Sequence, residues 1–361
     1  MNPTATLRAA GQSLWLDNIT RELLTSGTLV RYIAELSVTG LTSNPTIYDK
    51  AIEGTSAYDA QIRRGLSGGL AGEDLFFELA LDDLRQAADD FRPVYARTRG
   101  VDGWVSLEVS PLLVDDAEAT VREAIRLHGM ADRPNLFVKI PGTPAGLRAI
   151  EDAIFAGVPV NATLLFSAEH YLAAGEAYLR GIERRVDVGL DPVVASVASV
   201  FVSRWDSAVA GRVPERLESK LGIAMGKRTY AAYRRLLATN RWQRLENEGA
   251  RPQRLLWAST GTKDPKASDV LYVAGLAAPH TVNTMPDATL QAFADHGSVG
   301  ALLAPDGGDA EETLAAIRST GIDIEALGQH LQADGTAAFV GSWTQLMECL
   351  ATKMTTVMDA R

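Results

Sequence analysis

The chain has 361 residues, 46% of them hydrophobic and 22% charged, enough for a large core arranged as one large domain or two small ones. A formal net charge of −10 argues against a nucleic-acid partner, which needs a basic footprint, but leaves room for a small local phosphate pocket. The single cysteine, Cys349, excludes an internal disulfide framework, fits a reducing cytosol, and reads as a small hydrophobe on a C-terminal helix. Met1 to Arg8 carry no apolar segment of the signal-peptide kind, and the apolar stretch around Val270 to Pro279 is about half of the ~20 residues a membrane span needs. The expectation is a soluble, cytoplasmic protein.

Taken in chain order, apolar runs of strand length fall near residues 13–17, 38–43, 103–109, 135–140, 158–165, 193–202, 254–259 and 280–284, and helical patterns separate them. This alternation predicts βα units and a parallel sheet, and eight of them predict a (β/α)8 barrel with additional helices. One helix is expected from Asp115 to His128, with an acidic first turn that suits the helix dipole. Another is expected from Ser167, as N-cap, to about Arg185. The connections 45–102 and 205–253 exceed what a barrel needs and read as helical. From about 287 onward, two or three helices are expected to pack outside the barrel. No linker or charge block divides residues 1–361, so a single domain is expected.

Successive strands place one polar group each at or near the carboxyl end. Ser13-Leu-Trp-Leu-Asp17 ends in an acid, and Val38-Thr-Gly-Leu-Thr-Ser-Asn44 in an amide. Trp104-Val-Ser-Leu-Glu108 ends in a second acid, and Asn135-Leu-Phe-Val-Lys139-Ile-Pro141 carries a lone cation. Val160-Asn161-Ala-Thr163 then adds an amide and a hydroxyl. In an α/β barrel those ends converge on the face where active sites lie. Lys139 is the sharpest of them. A strand buried on both faces is expected to bury its amine without a partner and to favour the neutral form, which can attack a carbonyl and form a Schiff base. The alternative is a strand-end lysine that snorkels to water.

Other motifs point nowhere. Gly222 to Arg228 resembles a phosphate loop but is one residue short and sits in a helical pattern. Gly68, Gly69 and Gly72 lack a preceding strand and read as a turn. The five histidines are scattered, so no metal site is expected, and no Gly-x-Ser-x-Gly elbow is present.

In family order, Trp15-Leu-Asp17, Gly40-Leu-Thr-Ser-Asn44-Pro-Thr-Ile, Val105-Ser-Leu-Glu108-Val, Asn135-Leu-Phe-Val-Lys139-Ile-Pro and Val160-Asn-Ala-Thr-Leu-Leu-Phe-Ser167 resemble the transaldolases, specifically the longer bacterial type. Ala198-Ser199-Val-Phe201-Val-Ser-Arg204 and Leu256-Trp-Ala-Ser259-Thr-Gly-Thr-Lys263 extend the likeness, which covers residues 13 to about 286. A Schiff-base lysine on the fourth strand fits this branch, whose barrel is permuted relative to aldolases that carry it on the sixth.

The resemblance implies a class I, metal-independent transferase without a cofactor. It would move a dihydroxyacetone unit from sedoheptulose 7-phosphate to glyceraldehyde 3-phosphate, giving erythrose 4-phosphate and fructose 6-phosphate in the pentose phosphate pathway. It implies Lys139 as nucleophile, Asp17 as acid/base on the C4 hydroxyl, and Glu108 working through a water that Thr163 holds. Asn44 and Asn161 would fix sugar hydroxyls. Ser199, Arg204 and Ser259 would take the phosphate, and Phe201 would keep water from the intermediate. Shorter relatives carry an arginine just after that last serine; here Lys263 is the candidate replacement.

Simpler roles compete. Asp17 could cap a helix starting near Ile19, Glu108 could pair with Lys139, Asn44 could serve the turn before Pro45, Phe201 could be core, and Lys263 could be a surface lysine. Two other functions stand beside the main one: an aldolase releasing free dihydroxyacetone, and a non-catalytic barrel that binds sugar phosphates. The expected partners are small sugar phosphates, with no nucleic acid or membrane, as a monomer or homodimer.

Overall fold

A computed structural model describes residues 2–359. Eight parallel strands close into a barrel in sequential order: β1 (Gln12–Asp17), β2 (Val38–Thr42), β3 (Trp104–Glu108), β4 (Leu136–Pro141), β5 (Val160–Leu165), β6 (Ser196–Phe201), β7 (Arg254–Ala258) and β8 (Thr281–Met285). Every expected strand is present, with ends shifted by no more than a few residues. The helix expected from Asp115 runs over Ala117–Ala131 with Asp116 as N-cap, and Ser167 caps the helix Ala168–Asp187 by accepting from the His170 N–H. Residues 222–228 lie inside the helix Leu221–Leu237, so the phosphate-loop likeness is accidental.

Side chains alternate along each strand, and the barrel interior is therefore built in layers. Its middle layer is an apolar plug of Trp15, Trp104, Phe137, Val197, Leu256 and Val282, in which the Trp104 and Phe137 rings stack 4.1 Å apart. Gly40 makes the plug possible. A Cβ at that position would lie 2.7 Å from the Trp15 indole and from the Trp104 carbonyl, so any side chain on this turn of β2 would evict the tryptophan. Directly above the plug, register aligns Asp17 with Thr42, Glu108 with Lys139, and Lys139 with Asn161. Pairing of strands, not the sequence separation, is what gathers these groups.

Three helices follow β8: Asp287–His296, Ala310–Arg318 and Ile324–Asp359. The last departs from the expectation that these helices stay outside the barrel. Its 36 residues, about 54 Å of helix, cross the carboxyl-terminal mouth. Small residues permit the crossing. A Cβ on Gly335 would already touch Leu164 and Phe166 at 3.3–3.5 Å, and one on Gly328 would press on Trp205 at 3.1 Å. Gln332 fastens the helix by donating to the carbonyls of Gly142 and Leu164, and Trp343 donates to Glu73. Leu164 holds φ +58°, an unusual conformation for a bulky residue, just where β5 shifts register and its carbonyl turns toward Gln332.

Candidate active site

The mouth of the barrel opens into a cavity of about 490 Å³. Asp17, Glu108, Lys139 and Thr163 all line it, as do Asn44, Ser199, Phe201, Arg204, Ser259 and Lys263. The groups read from successive strand ends thus share one chamber.

Lys139 is 7% exposed, and it is not without a partner as the sequence reading expected. Its Nζ contacts Glu108 Oε1 and donates to the Ser43 carbonyl at 3.1 Å. The strand register explains this: Glu108 stands directly opposite Lys139, and an acid and a base on facing positions must meet. Burial pushes the Glu108 carboxyl up to about 7, against the opposing pull of Lys139, and its Oε2 has no protein partner. A carboxyl titrating near neutral pH can both take and return a proton under working conditions.

Burial likewise raises Asp17 above its ordinary value, while the charge of Lys139 and the side chains of Thr42 and Asn44 pull it back. Asp17 does not cap a helix: the helix Arg21–Thr25 is capped by Thr20, whose side chain accepts from the Leu23 N–H. Its Oδ1 accepts from Thr42 Oγ1 at 2.8 Å, and since that hydroxyl has one proton, Thr42 must in turn accept from Thr284 at 2.8 Å. Thr42 and Thr284, both lining the cavity, were missed from sequence. Alternation from Gly40 puts Thr42 on the inner face, but nothing local marks Thr284.

Asn44 has a local structural role and also faces the cavity. Its Oδ1 caps the helix Pro45–Glu53 by accepting from the Ile47 N–H at 3.1 Å, while the residue borders the cavity. Asn161 stands opposite Lys139 in the strand register. It is fully buried and is not among the cavity-lining residues; its Oδ1 accepts from Ser199 Oγ at 2.6 Å and its Nδ2 donates to Ser106 Oγ. Its amide thereby orients Ser199, which lines the cavity.

The other end of the cavity is cationic. Arg204 and Lys263 are exposed and, among the described residues, neither makes an ion pair. Ser259 lies between them with φ +56°, its Oγ 2.8 Å from Ser203 Oγ. A left-handed serine costs roughly 1–3 kcal/mol and is kept where the surroundings demand it. Phe201 also lines the cavity, tilted against Phe166 with ring centres 5.5 Å apart. Two contributors went unread: Lys50, one turn from Ile47 on the helix that Asn44 caps, and the C-terminal helix, which adds Phe339 and Ser342. Among the described residues, no group of three or more His, Cys, Asp or Glu side chains is placed to hold a metal ion, and no helix is long and apolar enough to cross a membrane.

Comparison with known proteins agrees with this geometry. The family model described as transaldolase/fructose-6-phosphate aldolase matches residues 14–350. A protein named transaldolase from Frankia alni is 45% identical over 98% of both chains, and one from Thermobifida fusca is 44% identical over the same share. A protein named transaldolase 2 from Nostoc punctiforme is 40% identical over 96% of both. With a nearly full-length family match laid over a barrel that gathers the same strand-end groups, the chain belongs to the transaldolase/fructose-6-phosphate aldolase family.

Proposed function

We propose that this chain is a transaldolase, a transferase that carries a dihydroxyacetone unit between sugar phosphates on Lys139. The observation that carries the reading is the buried contact of Lys139 with a carboxyl pushed to about 7, with a second raised carboxyl, Asp17, in the same cavity. Glu108 can take the proton from the Lys139 amine, freeing its lone pair to attack the C2 carbonyl of the ketose donor. The attached nitrogen gives one proton to the C2 oxygen, Glu108 returns the other through water, and the oxygen leaves as water to produce an iminium. Asp17 then removes the C4 hydroxyl proton. The C3–C4 bond breaks, its electrons pass to the iminium to give an enamine, and the aldose departs. An acceptor aldehyde reverses the sequence, and hydrolysis frees Lys139.

The donor would be sedoheptulose 7-phosphate and the acceptor glyceraldehyde 3-phosphate, with Thr163 on the water, Asn44 on sugar hydroxyls, and Ser199 set by Asn161. Arg204, Ser259 and Lys263 would take the phosphate, because unpaired cations beside a hydroxyl offer charge-assisted bonds without a competing carboxylate. The reading places the enzyme in the cytoplasm, with small sugar phosphates as its partners and no cofactor. Borohydride reduction in the presence of fructose 6-phosphate tests it: the peptide containing Lys139 should gain a dihydroxyacetone-derived mass. Label on another lysine, or none, would remove the mechanism.

A further inference from the structure

The opposite end of the barrel holds a larger cavity, of about 740 Å³. Every segment that lines it precedes a strand or is the first part of one, so it lies at the amino-terminal face, with the aromatic plug between it and the mouth. Its walls carry five arginines, Arg8, Arg99, Arg234, Arg251 and Arg254, against two carboxylates, Asp102 and Glu246. One of those carboxylates is already committed. Asp102 accepts from Arg254 at 3.0 Å and from Ser13 at 2.9 Å. Among the described residues, Arg8, Arg99, Arg234 and Arg251 make no ion pair, although the chain has a net charge of −10 and most of its acidic side chains lie elsewhere.

Backbone conformation helps to assemble this wall. Arg99 and Gly100 are both left-handed, at φ +53° and +76°. A Cβ on Gly100 would lie 2.8 Å from Arg251 Nη1, so the bare glycine leaves room for that guanidinium against the loop that carries Arg99. Like charges that line one cavity without counter-charges repel, and the arrangement gains most from a ligand that supplies several negative charges at once.

We propose that the amino-terminal face of the barrel is a second binding site, for a small molecule bearing two or more phosphoryl groups. Planar guanidinium forks suit phosphoryl oxygens, and the spread of four unpaired arginines over a cavity larger than the substrate chamber favours an oligophosphate over a single phosphate.

Titration calorimetry of the full chain with inorganic tripolyphosphate, and separately with inorganic phosphate, tests this. Tripolyphosphate should bind saturably and at least tenfold tighter than phosphate. Combined Arg8→Gln and Arg251→Gln should weaken it tenfold or more, with Arg251→Lys losing less than Arg251→Gln. Arg204→Ala should leave its affinity unchanged, and saturating fructose 6-phosphate should not displace it. Hydrogen exchange should show protection over residues 98–104 on binding, a readout that needs no variant to fold. Absence of saturable binding, loss of binding in Arg204→Ala, or protection confined to the mouth would each overturn the proposal.

Discussion

Two buried ionic clusters stand at opposite ends of one barrel interior, and they are built to different standards. At the amino-terminal end, Arg254 donates to Asp102, Ser13 and the carbonyls of Val101 and Thr281, and Asp102 uses both oxygens. At the mouth, Glu108 keeps one buried oxygen without a protein partner, and both carboxyls are pushed upward by burial. A fully bonded pair fixes geometry; an under-bonded one leaves a proton free to move. The difference is the one expected between a structural ion pair and, in the proposed mechanism, a reactive one.

Two single substitutions should pull the clusters apart most widely. Lys139→Met should abolish turnover and borohydride trapping yet stay within ~1.5 kcal/mol of the parent stability at pH 6, because the abandoned Glu108 can hold a proton and methionine fills the space. Arg254→Met should cost about 3–5 kcal/mol, since Asp102 is left buried and unpaired. Denaturant unfolding and turnover, measured on both, decide the matter. Equal stability losses would mean that the two clusters are alike.

Glu108→Gln sharpens the same contrast through pH. The folded chain holds a proton on Glu108 up to about 7, whereas an unfolded chain loses it near the ordinary 4.5. Between those values the folded state binds more protons, so unfolding free energy should fall as pH rises through that window. The glutamine variant should flatten that slope and slow Schiff-base formation by ~10²–10⁴-fold. A parent slope that rises through the window would contradict the burial argument.

How much of this was legible beforehand depended on range. The eight strands were readable because each is a short apolar run between helical patterns, and Asp17, Glu108 and Lys139 because each is a charge inside such a run. The Lys139–Glu108 contact was weighed as a possibility, but which residues face each other is fixed by barrel register, which no local pattern encodes. The Asn161–Ser199 bond could not be read for the same reason. The path of the C-terminal helix across the mouth was not readable because it turns on Gly328 and Gly335, whose value lies in the side chains they lack, while the rest of its buried face, including Leu331, Trp343, Leu346 and Leu350, looks like any amphipathic helix.

A smaller effect should distinguish recognition from chemistry within the mouth. Arg204→Ala should cost about 1.5–3 kcal/mol in kcat/KM for fructose 6-phosphate and much less for fructose, because the charge-assisted bond exists only with the phosphate. Equal losses for both sugars would make Arg204 a scaffold residue. Lys263→Ala should act in the same direction if it shares the phosphate.

The smallest expected change concerns the fate of the intermediate. In the proposed mechanism, the enamine on Lys139 must wait after cleavage for an aldehyde without being protonated and hydrolysed. Phe201 lines the cavity and leans on Phe166, so it presents an apolar face with no proton to give. Keeping water from a reactive intermediate protects it from that side reaction. A tyrosine there would bring a hydroxyl able to position water or donate a proton. Phe201→Tyr should therefore raise release of free dihydroxyacetone relative to transfer, by a few-fold on the order of 1 kcal/mol, the net worth of one hydrogen bond. The measurement is the ratio of dihydroxyacetone to transfer product from fructose 6-phosphate, with and without erythrose 4-phosphate. An unchanged ratio in a well-folded variant would confine Phe201 to packing against Phe166 and leave the water-exclusion argument without support.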